Sequence, residues 1–269
     1  MNQPERWQMS GSEPESYELY RVPRQFGPQA RRLLENVPLR PGDQVLDVAC
    51  GTGVVARLAA DRVAPSGRVV GIDLNDAMLA VARAHAPDTG ALIEWRQGDA
   101  DALPFSEAAF DAVLCQQGLQ FMPDKLGAVR EMRRVAVPGG IVALNVSGAP
   151  SRYNIALAEA LTKHVDATVA TRSLAPFSLA NPAVLRGILI DAGLRAIDIR
   201  TVVLTRRVEP TQEWLLQDSG AMPYSAAIAG LDAVVRAAMI REIAAKLKDL
   251  WDVESFAVPT EIHLAYARK

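Results

Sequence analysis

Val45-Leu-Asp-Val-Ala-Cys-Gly-Thr-Gly53 is the stretch on which the reading of the chain turns. It has the form of a short buried strand, a glycine turn and the start of a helix over about residues 52–62. Val45, Leu46 and Val48 are strand formers. Gly51 and Gly53 allow a tight turn and a close backbone approach to a ligand, which a Cβ would obstruct. A helix starting there directs its unpaired N–H groups at whatever lies over the strand end. Asp47 stands out, because a carboxylate in an apolar strand is costly unless something satisfies it. N–H groups of the glycine loop, or a bound ammonium group, are its expected partners.

Outward from this stretch the chain alternates strand and helix. Arg68–Asp73 is a second strand ending in an acid, and Asp73 lies 20 residues after Gly53. In a βαβ unit that spacing returns the chain to the strand end beside the glycine turn, where a carboxylate can accept both hydroxyls of a ribose. Asp73 or Asn75 can equally cap the helix through Ala77, Met78 and Ala82. Leu92–Gln97 is a third strand, running into Gly98-Asp99-Ala100-Asp101. Residues 109–115 form a fourth, followed by the loop Gln116-Gln117-Gly118 and a helix over about residues 123–136. Leu126, Val129, Met132 and Val135 share one face of that helix. Pro138-Gly139-Gly140 is expected to turn the chain into a fifth strand at residues 141–146. Strands one, four and five are almost continuously apolar, as strands covered on both faces should be.

Beyond residue 146 the pattern becomes helical. One helix, residues 153–165, carries His164, and a Ser/Thr/Ala-rich link follows. Asn181-Pro182 opens another helix, an N-cap with Pro at the first helical position. Residues 196–204 alternate as a sixth strand. Some 50 mostly helical residues end in a helix over 236–250. Residues 256–268 make the last strand, in which Pro259 suits an edge or a bulge. The expected fold class is therefore α/β: a Rossmann-like, seven-stranded, mostly parallel sheet with the last strand antiparallel, helices on both faces and helical cap insertions.

The form Leu-Asp-Val-Ala-Cys-Gly-Thr-Gly resembles motif I of the class I S-adenosylmethionine (AdoMet)-dependent methyltransferases. The similarity is strongest to the branch of ubiquinone/menaquinone-biosynthesis enzymes and natural-product methyltransferases. Leu103-Pro-Phe105 after the third strand also matches that family, and the resemblance covers about residues 40–146. It implies AdoMet as cofactor, held by Asp47, Ala49, Gly51, Gly53, Asp73, Leu74, Met78, Asp99, Ala100 and Gln116. In that assignment Asp73 takes the ribose, Asp99 accepts the adenine amino group, and the Ala100 N–H donates to a ring nitrogen. The loop after strand four would face the transferring methyl. Residues 1–40 would form an N-terminal helical lid. Residues 41–269 would form the catalytic domain, with its cap at 150–180 and 209–250.

The bare pattern Gly51-Thr-Gly53-Val-Val-Ala56 also fits a dinucleotide fingerprint. Against a nicotinamide cofactor stand the lack of a Lys, an Arg or a further Gly at the turn to seat a pyrophosphate, and the bulk of Val54-Val55. No substrate domain with a hydride-transfer residue follows. An AdoMet-binding protein that does not methylate, such as a cyclase using the sulfonium charge, stays open as an alternative. Methyl transfer from a sulfonium is an SN2 displacement that mainly needs alignment and desolvation. A phenol or carboxylate acceptor needs no strong base. Of the three histidines, His85 suits a helix C-terminus and His263 lies within the last strand. His164 is the catalytic candidate, with Gln120 orienting the acceptor. Some relatives carry a His-His pair where this chain has Gln120 and Phe121.

Composition narrows the partners. Apolar residues make up 49% and charged residues 22%, enough apolar content for a sizeable core, and the net charge of −2 supplies no basic field for nucleic acid. Cys50 and Cys115 sit far apart in apolar runs, unlike a disulfide framework or a zinc site. No signal peptide is recognised and no apolar run reaches the roughly 18–20 residues of a membrane span. The expectation is a cytoplasmic enzyme without a metal, acting on a small apolar or aromatic molecule. A homodimer is left open through Ile240, Ile243 and Leu247, which share one helix face.

Overall fold

The computed structural model describes residues 11–85, 90–220, 222 and 224–269. Its strands are β1 (Gln44–Val48), β2 (Arg68–Asp73), β3 (Leu92–Gln97), β4 (Phe110–Gln116), β5 (Ala136–Ser147), β6 (Arg195–Val208), β7 (Trp251–Asp252) and β8 (Ser255–Arg268). Across the sheet they run β3-β2-β1-β4-β5-β8-β6, with short β7 paired to β8. Strands β3, β2, β1, β4 and β5 are parallel. Strand β8 is antiparallel to both of its neighbours. The expected sheet is thus present, with β7 as a two-residue addition. Strand order reverses between β1 and β4, which opens a crevice at the carboxyl ends of those strands.

Period-two alternation assigns each face its core. Leu46, Val48, Val70 and Ile72 pack under α5 (Lys125–Val135) and α8 (Pro182–Asp191), against Val129, Met132, Leu185 and Leu189. Val45, Val69 and Leu114 face the other way, onto α2 (Gly27–Leu34) and α3 (Val54–Val63). A third core belongs to the cap. There α6 (Arg152–His164), α9 (Gln212–Ser219) and α11 (Ala233–Leu247) bury Tyr153, Leu161, Trp214, Met239 and Leu247 together. Ile243 and Leu247 are therefore occupied inside the cap.

Several local expectations change. The turn at Pro138-Gly139-Gly140 lies within β5, which starts directly after α5. Gly139 takes φ +77°, and the β4–β5 register shifts between Phe110 and Ala112. The residues bulge the strand instead of preceding it. Part of the link after α6 is helical, as α7 (Ala167–Ser173) and a 3₁₀ turn at Ala175–Phe177. Asp166 caps α7 by accepting from Val169 N at 2.8 Å. Of the expected N-terminal lid, residues 1–10 lie outside the described residues, while Glu13–Ser16 is the short helix α1. It continues as a wide π-helix, Tyr17–Phe26, into α2. Pro23 inside that stretch has no N–H to give. Pro259 stands opposite Thr205 of β6, while the β5 pairing of β8 begins only at Ile262. One side of the proline is therefore without a strand partner.

Candidate active site

A cavity of about 240 Å³ opens at the carboxyl ends of β1, β2, β3 and β4. Its floor is the turn after β1. Ala49, Gly51 and Gly53 all adopt positive φ, at +55°, +55° and +88°. A Cβ on Gly51 would come 3.2 Å from Met78 Cε, and both residues line the cavity. Asp73, at the end of β2, fastens this turn: its Oδ2 accepts from Gly51 N at 2.8 Å and its Oδ1 from Asn75 N at 2.9 Å. Burial raises the Asp73 carboxyl above its ordinary value against these N–H donors. The cap of α4 (Asp76–Ala84) falls to Asn75, whose side chain accepts from Ala77 N and Met78 N. Asp73 does not cap that helix and lines the cavity instead.

The structure brings Ala49, Gly51, Asp73, Leu74, Met78, Asp99, Ala100, Gln116 and Gln120 to this one cavity. Three of the sequence-expected site residues are elsewhere. Asp47 is buried beneath the turn. Its Oδ2 accepts from Ala56 N of α3 at 3.0 Å, not from the glycine loop, and it does not line the cavity. Gly53 is also off the cavity wall. A Cβ there would meet the Trp95 ring at 2.2 Å, so the glycine makes room for an indole. His164 sits on the outer side of the cap, where Nε2 lies 3.1 Å from Glu242 Oε1, which also pairs with Lys163. It does not reach the cavity wall. Replacing His164 by alanine is expected to leave any methyl-transfer rate within about twofold, since it removes only a contact to Glu242 away from the cavity wall. A tenfold fall in kcat at unchanged stability would return His164 to the chemistry.

Asp47 makes a second prediction. Burial pushes its carboxyl up to about 8, assisted by Asp73 and opposed by the Ala56 N–H and by Arg57. An acid whose pKa is higher folded than unfolded holds its proton in the folded state. Its contribution to stability is full below the unfolded value and fades as pH rises through the folded one. Between pH 5.5 and 8 the wild type should lose stability relative to Asp47→Asn, read as urea midpoints at both pH values. Parallel changes in the two proteins would refute a raised Asp47.

The roof and walls show what sequence spacing did not. Tyr17 stacks on Phe26 at 4.9 Å between ring centroids, and both line the cavity with Arg21 and Gln29. Gln116 Nε2 donates to Phe26 O at 3.0 Å while its Oε1 accepts from Asn145, tying the N-terminal arm to β4. Gln120, at 4% exposure, is a buried residue. Its Nε2 donates to Gln117 Oε1 at 2.7 Å. The Gln29 Oε1, Gln117 Nε2 and Gln120 Oε1 atoms are buried without a hydrogen-bond partner. Each such group costs about 1–3 kcal/mol unless a ligand or water meets it. A polar cofactor in this cradle answers that cost. Among the described residues, no group of three or more His, Cys, Asp or Glu is placed to hold a metal ion, and no helix is long and apolar enough to cross a membrane.

Residues 46–144, the segment that supplies β1 to β5 and the floor of the cavity, match the profile described as "Methyltransferase domain". This part of the chain is similar to a methyltransferase domain. It is 47% identical over 102 residues to the ubiquinone/menaquinone biosynthesis C-methyltransferase UbiE of Bordetella avium, covering 38% of this chain and 40% of that protein. It is 46% identical over 106 residues to the 2-phytyl-1,4-naphtoquinone methyltransferase of Thermosynechococcus vestitus, covering 39% and 47%. The chain thus spans less than half the length of these curated relatives. The fold likeness reaches further. A putative methyltransferase from Bacillus halodurans superposes with a TM-score of 0.57 at 23% identity, over 90% of this chain and 99% of that one. The shared fold therefore extends well beyond residues 46–144.

Proposed function

We propose that the protein is an AdoMet-dependent methyltransferase acting on a small molecule. One observation carries the reading. The glycine turn after β1, the acid ending β2 and the Asp99-Ala100 loop after β3 all line a single cavity roofed by the N-terminal arm and the cap. These are the three ligand elements of an adenosine-bearing cofactor at a strand-order switch. Bound there, AdoMet supplies an electrophilic methyl group. Asp73 would accept the ribose hydroxyls and Asp99 the adenine amino group, with Gly51 leaving space for the methionine portion. Ala49, Leu74, Met78, Ala100 and Gln116 would complete the cofactor's surroundings, and Gln120 would orient the acceptor. Residues 1–40 serve as a lid in this reading, and 150–180 and 209–250 as the acceptor-facing cap.

The chain's own contribution is alignment and exclusion of water. Phe26, Phe121, Phe177 and Met222 give the cavity apolar walls. Gln117 and Gln120 offer fixed amide dipoles, with Ser147 Oγ donating to Gln117 Oε1 at 2.9 Å. The curated relatives are named for quinone biosynthesis and naphtoquinone methylation, and the apolar walls support an acceptor of related, ring-bearing kind. The test is transfer of labelled methyl from AdoMet to a panel of phenols and quinols. Label in at least one acceptor, with S-adenosylhomocysteine formed in equal amount, is the expected result. Tight AdoMet binding with no transfer to any acceptor, and cyclisation of a polyene instead, would favour the non-methylating reading.

A further inference from the structure

The cap end of the cavity holds charges that the cofactor reading does not use. Arg21 of the N-terminal arm and Arg206 of β6 both line it, as do Asp218 and Tyr224. Arg206 forms an ion pair with Asp218 and lies over the rings of Tyr153 and Trp214, at 5.1 and 5.5 Å. Tyr153 OH donates to the other Asp218 oxygen at 3.1 Å. Burial raises the Asp218 carboxyl, but Arg206 and Arg21 more than offset it and hold the group below its usual value, so it stays anionic.

Arg21 is held differently, lying over the Phe26 ring at 5.3 Å. Its Nη1 donates to the Asp218 backbone carbonyl at 2.8 Å and its Nη2 to Gln25 Oε1 at 2.9 Å. Its Nε is buried with nothing to donate to, although the residue is only 7% exposed. Arg21 thus lines the cavity beside the Arg206–Asp218 pair with a buried Nε that meets no acceptor. A buried donor without an acceptor is costly to hold. Arginine in such a place is suited to a planar, two-oxygen anion. The neighbouring walls, Pro176, Phe177 and Met222, are apolar.

We propose that the acceptor is an acid: a small, largely apolar molecule whose single carboxylate docks on Arg21 at the cap end of the cavity. A monoanion is also the smaller addition of negative charge to a cavity that already holds Asp73, Asp99, Asp101 and Asp218, whereas a phosphate monoester would bring nearly two. The proposal rests on the methyltransferase reading only for the word acceptor. The carboxylate site itself is a statement about Arg21, Arg206 and Asp218.

The test titrates three matched probes, 1-naphthoate, its methyl ester and 1-naphthamide, into the full chain with and without saturating S-adenosylhomocysteine. The expected result is at least tenfold tighter binding of the acid. Arg21→Met should abolish that preference, and Arg21→Lys should retain part of it, with S-adenosylhomocysteine affinity within about twofold in both. Equal binding of the three probes, or none by any at millimolar concentration, would overturn the proposal. So would an Arg21→Met variant that keeps the acid preference and loses S-adenosylhomocysteine affinity, because Arg21 would then serve the cofactor's own carboxylate. Failure of the wild type to bind S-adenosylhomocysteine, with the acid preference intact, would count against the cofactor reading and leave the carboxylate site standing.

Discussion

Asp73→Ala is expected to weaken AdoMet binding about a hundredfold, or roughly 3 kcal/mol. Two effects add. The ribose hydroxyls would lose charge-assisted acceptors, each worth about 1.5–3 kcal/mol. The turn would also lose its fastening, because Asp73 accepts from Gly51 N and Asn75 N at 2.8 and 2.9 Å. Asp73→Asn keeps one acceptor oxygen and should fall between wild type and alanine. Calorimetric titration reads all three. An alanine variant that folds, as judged by its melting curve, and binds AdoMet within threefold of wild type would remove Asp73 from the ribose.

The second large effect belongs to Gly51→Val, which should show no measurable AdoMet binding. Gly51 has φ +55°, a region that a β-branched residue enters only under strain. The new Cβ would already stand 3.2 Å from Met78 Cε, and its two methyl groups would add bulk at the floor of the cavity. The strain should cost about 1–3 kcal/mol, so a lower melting temperature is expected alongside the binding loss. Gly51→Ala separates the two consequences, since it shares the unfavourable φ but adds far less volume. Tight binding by the valine variant would mean that the turn does not hold the cofactor.

The fold was legible where periodicity and turn chemistry agreed. Strand β2 runs over the expected Arg68–Asp73 and α8 starts behind its Asn181 cap, since both ends are marked by local residues. The antiparallel β8 followed from topology, because no segment remained to cover a further parallel crossover. Pro138-Gly139-Gly140 misled because bulges and turns use the same residues, and only pairing with β4 separates them. Around the cavity, sequence spacing located Asp73 and Asp99 because each ends or follows a strand at the same sheet edge. The resemblance also assigned Asp47 and Gly53 to the cofactor, and in the structure both lie off the cavity wall, Asp47 accepting from the helix N–H of Ala56 and Gly53 making room for the indole of Trp95. Spacing reveals that a residue stands near a turn, not on which side its side chain lies. The Arg21–Asp218 contact joins residues 197 apart, and no local pattern announces it. His164 had a favourable location by element count and was carried outward by the face of α6 it occupies.

The most direct test is isothermal titration of the full chain with S-adenosylhomocysteine, with NADH run in parallel. One site per chain, with a Kd on the order of micromolar for S-adenosylhomocysteine and no heat from NADH, is the predicted result. Silence from S-adenosylhomocysteine with saturable binding of NADH would contradict it and hand the glycine turn to a dinucleotide.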